Sequence, residues 1–273
     1  MKTIQYTLPK VTLMQESGLG VAEIAARTCY DSFEKSENES IKATKDTLPN
    51  KDELSSINSI DSSELLDDLA WTYFHHSILE HINLSYLVRG TSRGVLQEHA
   101  RHRLQAISVR STRYTMSSVL NAFVAATKFD DREFFIDKLL SFDMLVTSDE
   151  QYNKIEINTI YDKLLYQKGL SEDFYSLAVA KSSLELLGRA KSADELFGLL
   201  ELGKKKRNVG DAFKHIVTDN FKVDMVITFN LRSLKNYLSL RDSGAAYFQI
   251  RWLAKAIKDA TPKKYLDLIV KGE

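Results

Sequence analysis

Apolar residues recur at helical spacing in some stretches of the chain and alternate with polar residues in others. Helical spacing predicts helices over residues 20–30, 65–74, 128–206 and 245–260. β-branched and aromatic residues, in alternation or in a short run, predict strands over residues 82–88 and 223–229, with a weaker strand over residues 2–8. A further helix is expected from residue 91 to about residue 107, followed by a polar loop over residues 108–115.

Two polar stretches interrupt this pattern. Residues 31–64 are rich in Ser, Glu, Lys, Asn and Asp, and because such a composition buries little apolar area we expect a mobile excursion. Residues 203–209 contain four consecutive cations and predict a solvated turn. No internal repeat or Gly/Pro linker divides residues 1–273, so we expect a single α/β domain with a helical extension at about residues 128–206.

Charge and composition exclude several classes of protein. The 37 basic and 37 acidic residues cancel, which argues against a general nucleic-acid binder. A single cysteine, Cys29, excludes an internal disulfide and a zinc cluster built from cysteines. The sequence has neither a signal-peptide pattern at its start nor an apolar run long enough to span a membrane. These features predict a cytoplasmic protein that is not inserted in a membrane.

Residues 75–114, here called the basic segment, concentrate the candidate chemistry. The segment holds five of the six histidines of the chain and six arginines. Arg101, His102 and Arg103 are consecutive within it. Because three consecutive helical residues point in three directions, this triplet can serve one ligand only where the helix ends or where several anionic groups converge. A large ligand with several negative charges meets that condition.

Three kinds of site compete for the basic segment. A metal site would use His75, His76 and His81, but their spacing fits no familiar zinc pattern and the neighbouring arginines repel a dication. Nucleic-acid binding lacks both a basic total charge and a known sequence pattern. A site for small phosphorylated molecules is favoured, because it uses arginine forks together with the hydroxyls of Ser111 and Thr112.

Three separated blocks of the chain then match one known family in the correct order. They are His75-x-Ser77-x-x-Glu80-His81, then Arg101-His102-Arg103 with Ser111 after seven residues, and finally Asn230-x-Arg232-Ser233-Leu234-x-Asn236-x-x-x-Leu240-Arg241. In these blocks the chain resembles the flavin-dependent thymidylate synthases, also called the ThyX family. The resemblance covers residues 65–116 and 210–260 well, whereas residues 31–64 and much of the helical middle carry no motif.

The resemblance implies a single catalytic domain of the α/β (α+β) class, with an antiparallel-containing sheet flanked by helices. It implies a homotetramer that holds FAD at subunit interfaces and methylates dUMP to dTMP. Methylenetetrahydrofolate would supply the carbon, and NADPH would supply the reducing equivalents. FAD would perform the redox step while the protein orients it.

The resemblance also assigns residues to each ligand. FAD would be bound by His75, Ser77, Arg101, His102, Arg103, Val109, Asn230, Arg232 and Asn236. The nucleotide dUMP would be bound by Glu98, Arg101, Arg110, Ser111, Thr112, Arg113, Lys214 and Arg241. Arg241 would be catalytic, since a fixed guanidinium next to the uracil imide stabilises the anion that makes the ring carbon nucleophilic.

Several positions depart from the family pattern. Glu98 stands where many members have Gln, and its carboxylate would repel a phosphate unless it is paired or protonated. Val109 replaces a common Glu, and Lys214 replaces an arginine, which exchanges a fork for a point charge. Ala245 replaces a frequent histidine. Because the three main blocks persist, these changes indicate a divergent subgroup that keeps its activity.

Ser111 allows two interpretations. A nucleophilic serine needs a base within hydrogen-bond reach, and only His99 and His102 are near it in sequence. We favour the other interpretation, in which the Ser111 hydroxyl forms a hydrogen bond to the ligand.

Overall fold

The computed structural model describes residues 4–179, 181–202 and 208–271. Its strands are β1 (Lys10–Glu16), β2 (Asn83–Ser92), β3 (Gln105–Val109) and β4 (Lys222–Asn230). Its α-helices are α1 (Gly20–Tyr30), α2 (Glu39–Ala43), α3 (Lys51–Asn58), α4 (Glu64–Trp71), α5 (Arg93–His99), α6 (Thr112–Phe129), α7 (Arg132–Ser141), α8 (Glu150–Leu170), α9 (Phe174–Ala178), α10 (Ala193–Leu202), α11 (Asn208–Ala212), α12 (Leu231–Arg241), α13 (Phe248–Ala260) and α14 (Lys263–Ile269). Short 3-10 helices span Phe33–Lys35, His76–His81, Lys181–Gly188 and Lys214–Ile216.

The four strands form one sheet in the order β1-β2-β4-β3. β1 is antiparallel to β2, and β3 is antiparallel to β4. Along β2 the side chains of Leu84, Tyr86 and Val88 are buried while their neighbours are partly or fully exposed, as the alternating sequence predicts. The predicted fold class, an antiparallel-containing sheet flanked by helices, is therefore confirmed.

Contacts between residues divide the described chain into two discontinuous units. The sheet unit comprises Leu8–Thr91, Val95–Val109 and residues 224–271. Its core contains one face of β2 and β4, and α13 packs on β1 while contributing Ile250, Leu253 and Ile257 to that core. The three- and four-residue spacing of these side chains places them on one face of α13. The expectation of a single catalytic domain stays a prediction.

The helical unit comprises residues 4–7, Ser92–Gly94 and Arg110–Val223, apart from the undescribed positions. Phe123 on α6 is fully buried, and its ring meets those of Phe135, Tyr161 and Phe174 with centroids 6.1, 5.1 and 5.5 Å apart. These edge-on contacts between aromatic rings stabilise a core separate from that of the sheet unit. The helical extension expected at about residues 128–206 is largely helical where it is described, and its first helix, α6, already begins at Thr112. The turn predicted over residues 203–209 falls largely outside the described residues.

Three predicted elements, one near the start of the chain and two in and after the basic segment, are wrong. Residues 4–9 form no strand beyond a single bridge between Tyr6 and Thr147, and the first strand is β1. The helix predicted to reach residue 107 ends at His99, and the chain then forms β3, which pairs with β4. The polar loop predicted over residues 108–115 is also wrong, since β3 ends at Val109 and α6 begins at Thr112.

Residues 31–64 contain helices that their composition did not predict. Asn38 accepts a hydrogen bond from the Ile41 backbone N–H at the start of α2, and Asn50 forms a capping box with Glu53 at the start of α3. Ile41 and Ile57 are 0% and 1% exposed. A Cβ on Gly20 would lie 2.2 Å from the Ile57 carbonyl oxygen, so α1 and α3 approach closely only because residue 20 is glycine. Asn38, Asn50 and Glu53 therefore serve the ends of helices in this polar segment.

The C-terminal region adds an element that the sequence did not reveal. The last predicted helix is present as α13, but it starts at Phe248, three residues later than expected. The residues after α13, for which no element is predicted above, form α14, which buries Tyr265, Leu268 and Ile269 in the core of the sheet unit. Within the described ranges, no helix has the length and apolar character needed to cross a membrane.

The burial of Ile41 yields a stability prediction. Replacing Ile41 with Ala should lower the free energy of unfolding by about 2–5 kcal/mol, because it removes buried methyl groups and leaves a cavity. Leu48→Ala in the same segment is the matched control, since Leu48 is 93% exposed and its loss should cost less than about 0.5 kcal/mol. Urea unfolding followed by circular dichroism measures both. Equal small losses would show that the segment does not pack as described.

Candidate functional site

The consecutive Arg101, His102 and Arg103 lie in the turn between α5 and β3. Because α5 ends at His99, these side chains are released from helical directions, as binding of one large ligand requires. They line a cleft of about 720 Å³ in the sheet unit, here called the basic cleft. Its lining residues are Glu80, Arg101, His102, Arg103, Leu104, Arg232, Ser233, Asn236, Leu240 and Arg241. The structure thus brings together members of all three sequence blocks.

Arg241, the last residue of α12, is held at the inner side of the basic cleft. Its side chain is only 16% exposed. Its Nε donates to Nε2 of His102 at 2.9 Å, and its Nη1 lies 3.1 Å from the Glu98 carboxylate. A longer contact of 3.4 Å joins its Nη2 to the Glu98 backbone carbonyl. These contacts fix the plane of the guanidinium.

The contact with Arg241 decides the protonation of His102. Arginine has no acceptor atom, so Nε2 of His102 must accept and the ring proton must lie on Nδ1. Partial burial and the neighbouring charges of Arg241 and Arg101 lower the pKa of His102 below its usual value. Burial and the adjacent cations therefore favour the neutral ring that the hydrogen bond requires.

Glu98 is paired with two arginines of the site. Its carboxylate lies 3.1 Å from Arg241 Nη1 and 3.2 Å from Arg101 Nη1. The repulsion of a phosphate expected from its sequence position is thus offset, because the negative charge is already compensated by two cations. Arg101 is the more exposed partner, with 70% of its side chain accessible.

α12 supplies another part of the cleft. Asn230 caps this helix by accepting a hydrogen bond from the Ser233 backbone N–H at 2.8 Å, which leaves its amide N–H groups as donors. Arg232 projects to Glu80, with 2.5 Å between Nη1 and the carboxylate oxygen. Asn236 lies one helical turn further on and lines the cleft. Glu80 belongs to the first sequence block, although the sequence did not identify it as a partner of Arg232.

His75 and Ser77 are exposed but do not line the basic cleft. His75 is held by a residue that the sequence did not reveal, since the Tyr30 hydroxyl lies 2.7 Å from its Nδ1. The two rings are nearly parallel, at 11° and with centroids 6.4 Å apart. Phe74, just before His75, has a φ of 56°, which is rare for a bulky residue and indicates local strain.

The remaining nucleotide residues of the prediction lie in the helical unit. Ser111 caps α6 by accepting a hydrogen bond from the Arg113 backbone N–H at 3.3 Å. Asp211 binds both Arg113 and Lys214, at 2.7 and 3.0 Å. These two cations lower the pKa of Asp211, with Lys214 having the larger effect. Asp211 is not predicted from the sequence, where its only signal is its position three residues before Lys214.

Gly210 explains how Asp211 reaches Arg113. A Cβ on Gly210 would lie 2.6 Å from the Arg113 carbonyl oxygen and 2.7 Å from its Cα. Only glycine allows α11 to approach the start of α6 this closely.

Three other predicted contact residues, Val109, Arg110 and Thr112, lie at the end of β3 and the start of α6. Val109 is the half-buried last residue of β3 and pairs with Met225. Arg110 is exposed, and Thr112 opens α6. The structure therefore places Val109 where it offers only backbone groups and apolar contact.

His99 belongs to the core of the sheet unit. It is fully buried, its Nδ1 lies 3.3 Å from the Tyr237 hydroxyl, and its ring packs against those of Phe229 and Tyr237. Burial lowers the pKa of His99 to about 4, with a smaller effect from His102. Among the described residues, no group of three or more His, Cys, Asp or Glu side chains is arranged to hold a metal ion.

Comparisons with known proteins agree with the sequence blocks. A family model described as thymidylate synthase complementing protein matches residues 12–265. A flavin-dependent thymidylate synthase of Wolinella succinogenes is 29% identical over 255 residues, covering 93% of this chain and 94% of that protein. A protein of the same description from Campylobacter jejuni is 28% identical over 257 residues, covering 94% and 93%.

A solved structure is similar over nearly the whole chain. It is a crystal structure of thymidylate synthase X from Helicobacter pylori with FAD and dUMP. The TM-score is 0.59 at 26% sequence identity, and the alignment covers 96% of this chain and 97% of that chain.

The burial of His99 generates a prediction about pH. An unfolded histidine binds a proton below about pH 6.5, whereas native His99 does so only near pH 4, so the unfolded state binds more protons between these values. The free energy of unfolding should therefore fall as the pH is lowered through this window, by about 2 kcal/mol from His99 between pH 7 and pH 5.

Urea unfolding of the wild type and of His99→Leu at both pH values measures this contribution. The variant should be less sensitive to acid by that amount. His81→Leu, at an exposed histidine, is the control and should keep the wild-type dependence. Identical pH dependence in all three proteins would contradict the assignment.

Proposed function

Because this chain belongs to the thymidylate synthase complementing protein family, whose relatives compared above are flavin-dependent thymidylate synthases, we propose that it methylates dUMP to dTMP with FAD as its bound cofactor. Methylenetetrahydrofolate is the carbon donor, and NADPH is the source of reducing equivalents. The observation that supports this proposal most strongly is the position of Arg241. It is mostly buried and is fixed in a cleft that also contains Arg101, His102 and Arg103.

The chemistry of the basic cleft fits FAD. Arg101, Arg103 and Arg232 are exposed cations that can bind the two phosphates of the cofactor. Leu104 and Leu240 line the same cleft and are 74% and 52% exposed, which provides apolar surface for a planar ring. Asn230 and Asn236, with His102, add hydrogen-bond donors, while His75, Ser77 and Val109 are the further contacts proposed from the motif.

When bound, FAD supplies the two-electron redox chemistry that the reductive methylation needs. The contribution of the protein itself to catalysis is electrostatic. Arg241 uses three of its five N–H groups for His102 and Glu98, which leaves two for a substrate. Directed at the uracil imide, these two stabilise the negative charge that develops on the ring and so make its carbon more nucleophilic.

The start of α6 suits the nucleotide phosphate. The N-terminus of a helix attracts anions through its unpaired backbone N–H groups, and here it also carries Arg113 and the Ser111 hydroxyl. The Ser111 oxygen accepts from the Arg113 N–H, and its hydrogen remains available to donate to a phosphate. This arrangement supports ligand binding by Ser111 in preference to covalent attack. Arg110, Thr112 and Lys214 of the helical unit, and Arg101 and Glu98 of the sheet unit, stay predicted contacts of the nucleotide from the sequence motif.

We further propose that the active form is a cytoplasmic homotetramer with its sites at subunit interfaces. The exposed apolar side chains at the basic cleft support completion of the site by another subunit. Light scattering should then give a mass four times the 31.1 kDa of one chain.

The proposed activity makes a direct prediction. Purified protein should be yellow with a flavin spectrum, and with dUMP, methylenetetrahydrofolate and NADPH it should form dTMP detectable by mass spectrometry. A colourless protein that gains no thermal stability from FAD and forms no dTMP would contradict the proposal and favour a nucleotide- or RNA-binding relative.

The role of Arg241 makes a second prediction. Arg241→Lys should lower kcat by about 100-fold, because an ammonium cannot reproduce the fixed planar donors next to the developing anion. Arg251→Lys, at an exposed arginine of α13, is the matched control and should leave kcat unchanged. Both rates are measured per bound flavin, and an Arg241→Lys enzyme with wild-type kcat would remove Arg241 from the mechanism.

A further inference from the structure

Glu98 makes more contacts with the site arginines than its sequence position suggested. Its carboxylate touches Nη1 of Arg241 at 3.1 Å and Nη1 of Arg101 at 3.2 and 3.3 Å. Its backbone carbonyl also lies 3.4 Å from Nη2 of Arg241. One residue thus contacts both terminal nitrogens of the guanidinium to which the chemistry is assigned.

The two ion pairs of Glu98 differ in their exposure to water. The side chains of Arg241 and Glu98 are 16% and 33% exposed, whereas that of Arg101 is 70% exposed. Ion pairs are screened less when they are partly buried, so Glu98 holds Arg241 more strongly than it holds Arg101. Glu98 is therefore an anchor for Arg241 and a weak, exchangeable partner for Arg101.

Helix stability does not account for a carboxylate at this position. Glu98 is the second-last residue of α5, near the negative end of the helix dipole. A carboxylate there is unfavourable for the helix, whereas the two arginines compensate its charge. The position of Glu98 is explained by its contacts with the cleft.

The orientation of the Arg241 guanidinium depends on the same contacts. Nε is fixed by His102 at 2.9 Å, and rotation about the last bonds of the side chain is limited by Glu98. Loss of the Glu98 carboxylate would leave Arg241 held only by His102 at Nε and by the longer contact of Nη2 with the backbone carbonyl of residue 98. The two N–H groups that face a substrate would then no longer have a fixed direction.

We propose that Glu98 is a positioning residue that orients the guanidinium of Arg241 toward the substrate, through the ion pair between its carboxylate and Nη1 and the hydrogen bond from Nη2 to its backbone carbonyl. The inference rests on the proposed function, since it assigns Glu98 a part in the same reaction. The side-chain oxygens that face Nη1 and the negative charge of Glu98 both contribute to this hold. Arg101 stays free to exchange Glu98 for a phosphate of the ligand.

Two substitutions separate the acceptor from the charge. Glu98→Gln keeps an oxygen that can accept from Arg241 but loses the charge of the ion pair, so kcat per bound flavin should fall only about threefold. Glu98→Ala removes the side-chain acceptor, so kcat should fall at least about tenfold, with a smaller change in KM for dUMP, because misdirected donors lose transition-state stabilisation. Glu150→Ala, which removes the exposed ion pair with Lys154, is the control and should match wild type.

Crystal structures of the same variants without ligands give a result that does not depend on activity. The plane of the Arg241 guanidinium should stay unchanged in Glu98→Gln and rotate in Glu98→Ala, while the contact between Arg241 Nε and His102 Nε2 persists in both. The inference is overturned if Glu98→Ala keeps the wild-type plane, if it keeps kcat, or if Glu98→Gln is as impaired as Glu98→Ala. If the wild type forms no dTMP but the plane changes as expected, the proposed function fails while the positioning of Arg241 stands.

Discussion

Mutual repulsion among closely spaced cations is the constraint on which the candidate site depends. The chain has no net charge, yet it gathers arginines around one cleft and at the start of α6. Carboxylates from the same unit compensate them: Glu98 for Arg101 and Arg241, Glu80 for Arg232, and Asp211 for Arg113 and Lys214. Each carboxylate lowers the cost of gathering the cations and fixes their directions before any ligand arrives.

The fold was predictable where local sequence and tertiary packing agree. The strand at β4 and the helices α1, α12 and α13 follow from apolar spacing, because their buried faces are regular. The helix predicted from residue 91 to about residue 107 instead ends at His99. β3 is an edge strand whose side chains are largely exposed, so its identity depends on pairing with β4, which local pattern does not contain.

The sequence motifs predicted which residues form the candidate site, but not how their side chains pair. The arginines and His102 could be named from the sequence blocks, whereas most of the pairings with their partners could not, because the paired residues are distant along the chain. Glu80 lies 152 residues from Arg232, and Asp211 lies 98 residues from Arg113. Tyr30 lies 45 residues from His75. Such contacts arise only from folding, and the polar composition of residues 31–64 similarly concealed two buried isoleucines.

The hydrogen bond between Arg241 and His102 has a consequence for what the basic cleft can recognise. With Nε2 occupied as an acceptor, His102 can offer a ligand only the N–H on Nδ1. The guanidinium groups beside it have no acceptor atoms either. This wall of the cleft therefore complements carbonyl and phosphate oxygens and disfavours ligand edges that carry N–H or amino groups. The selectivity arises because one histidine tautomer is held in place by a neighbouring arginine.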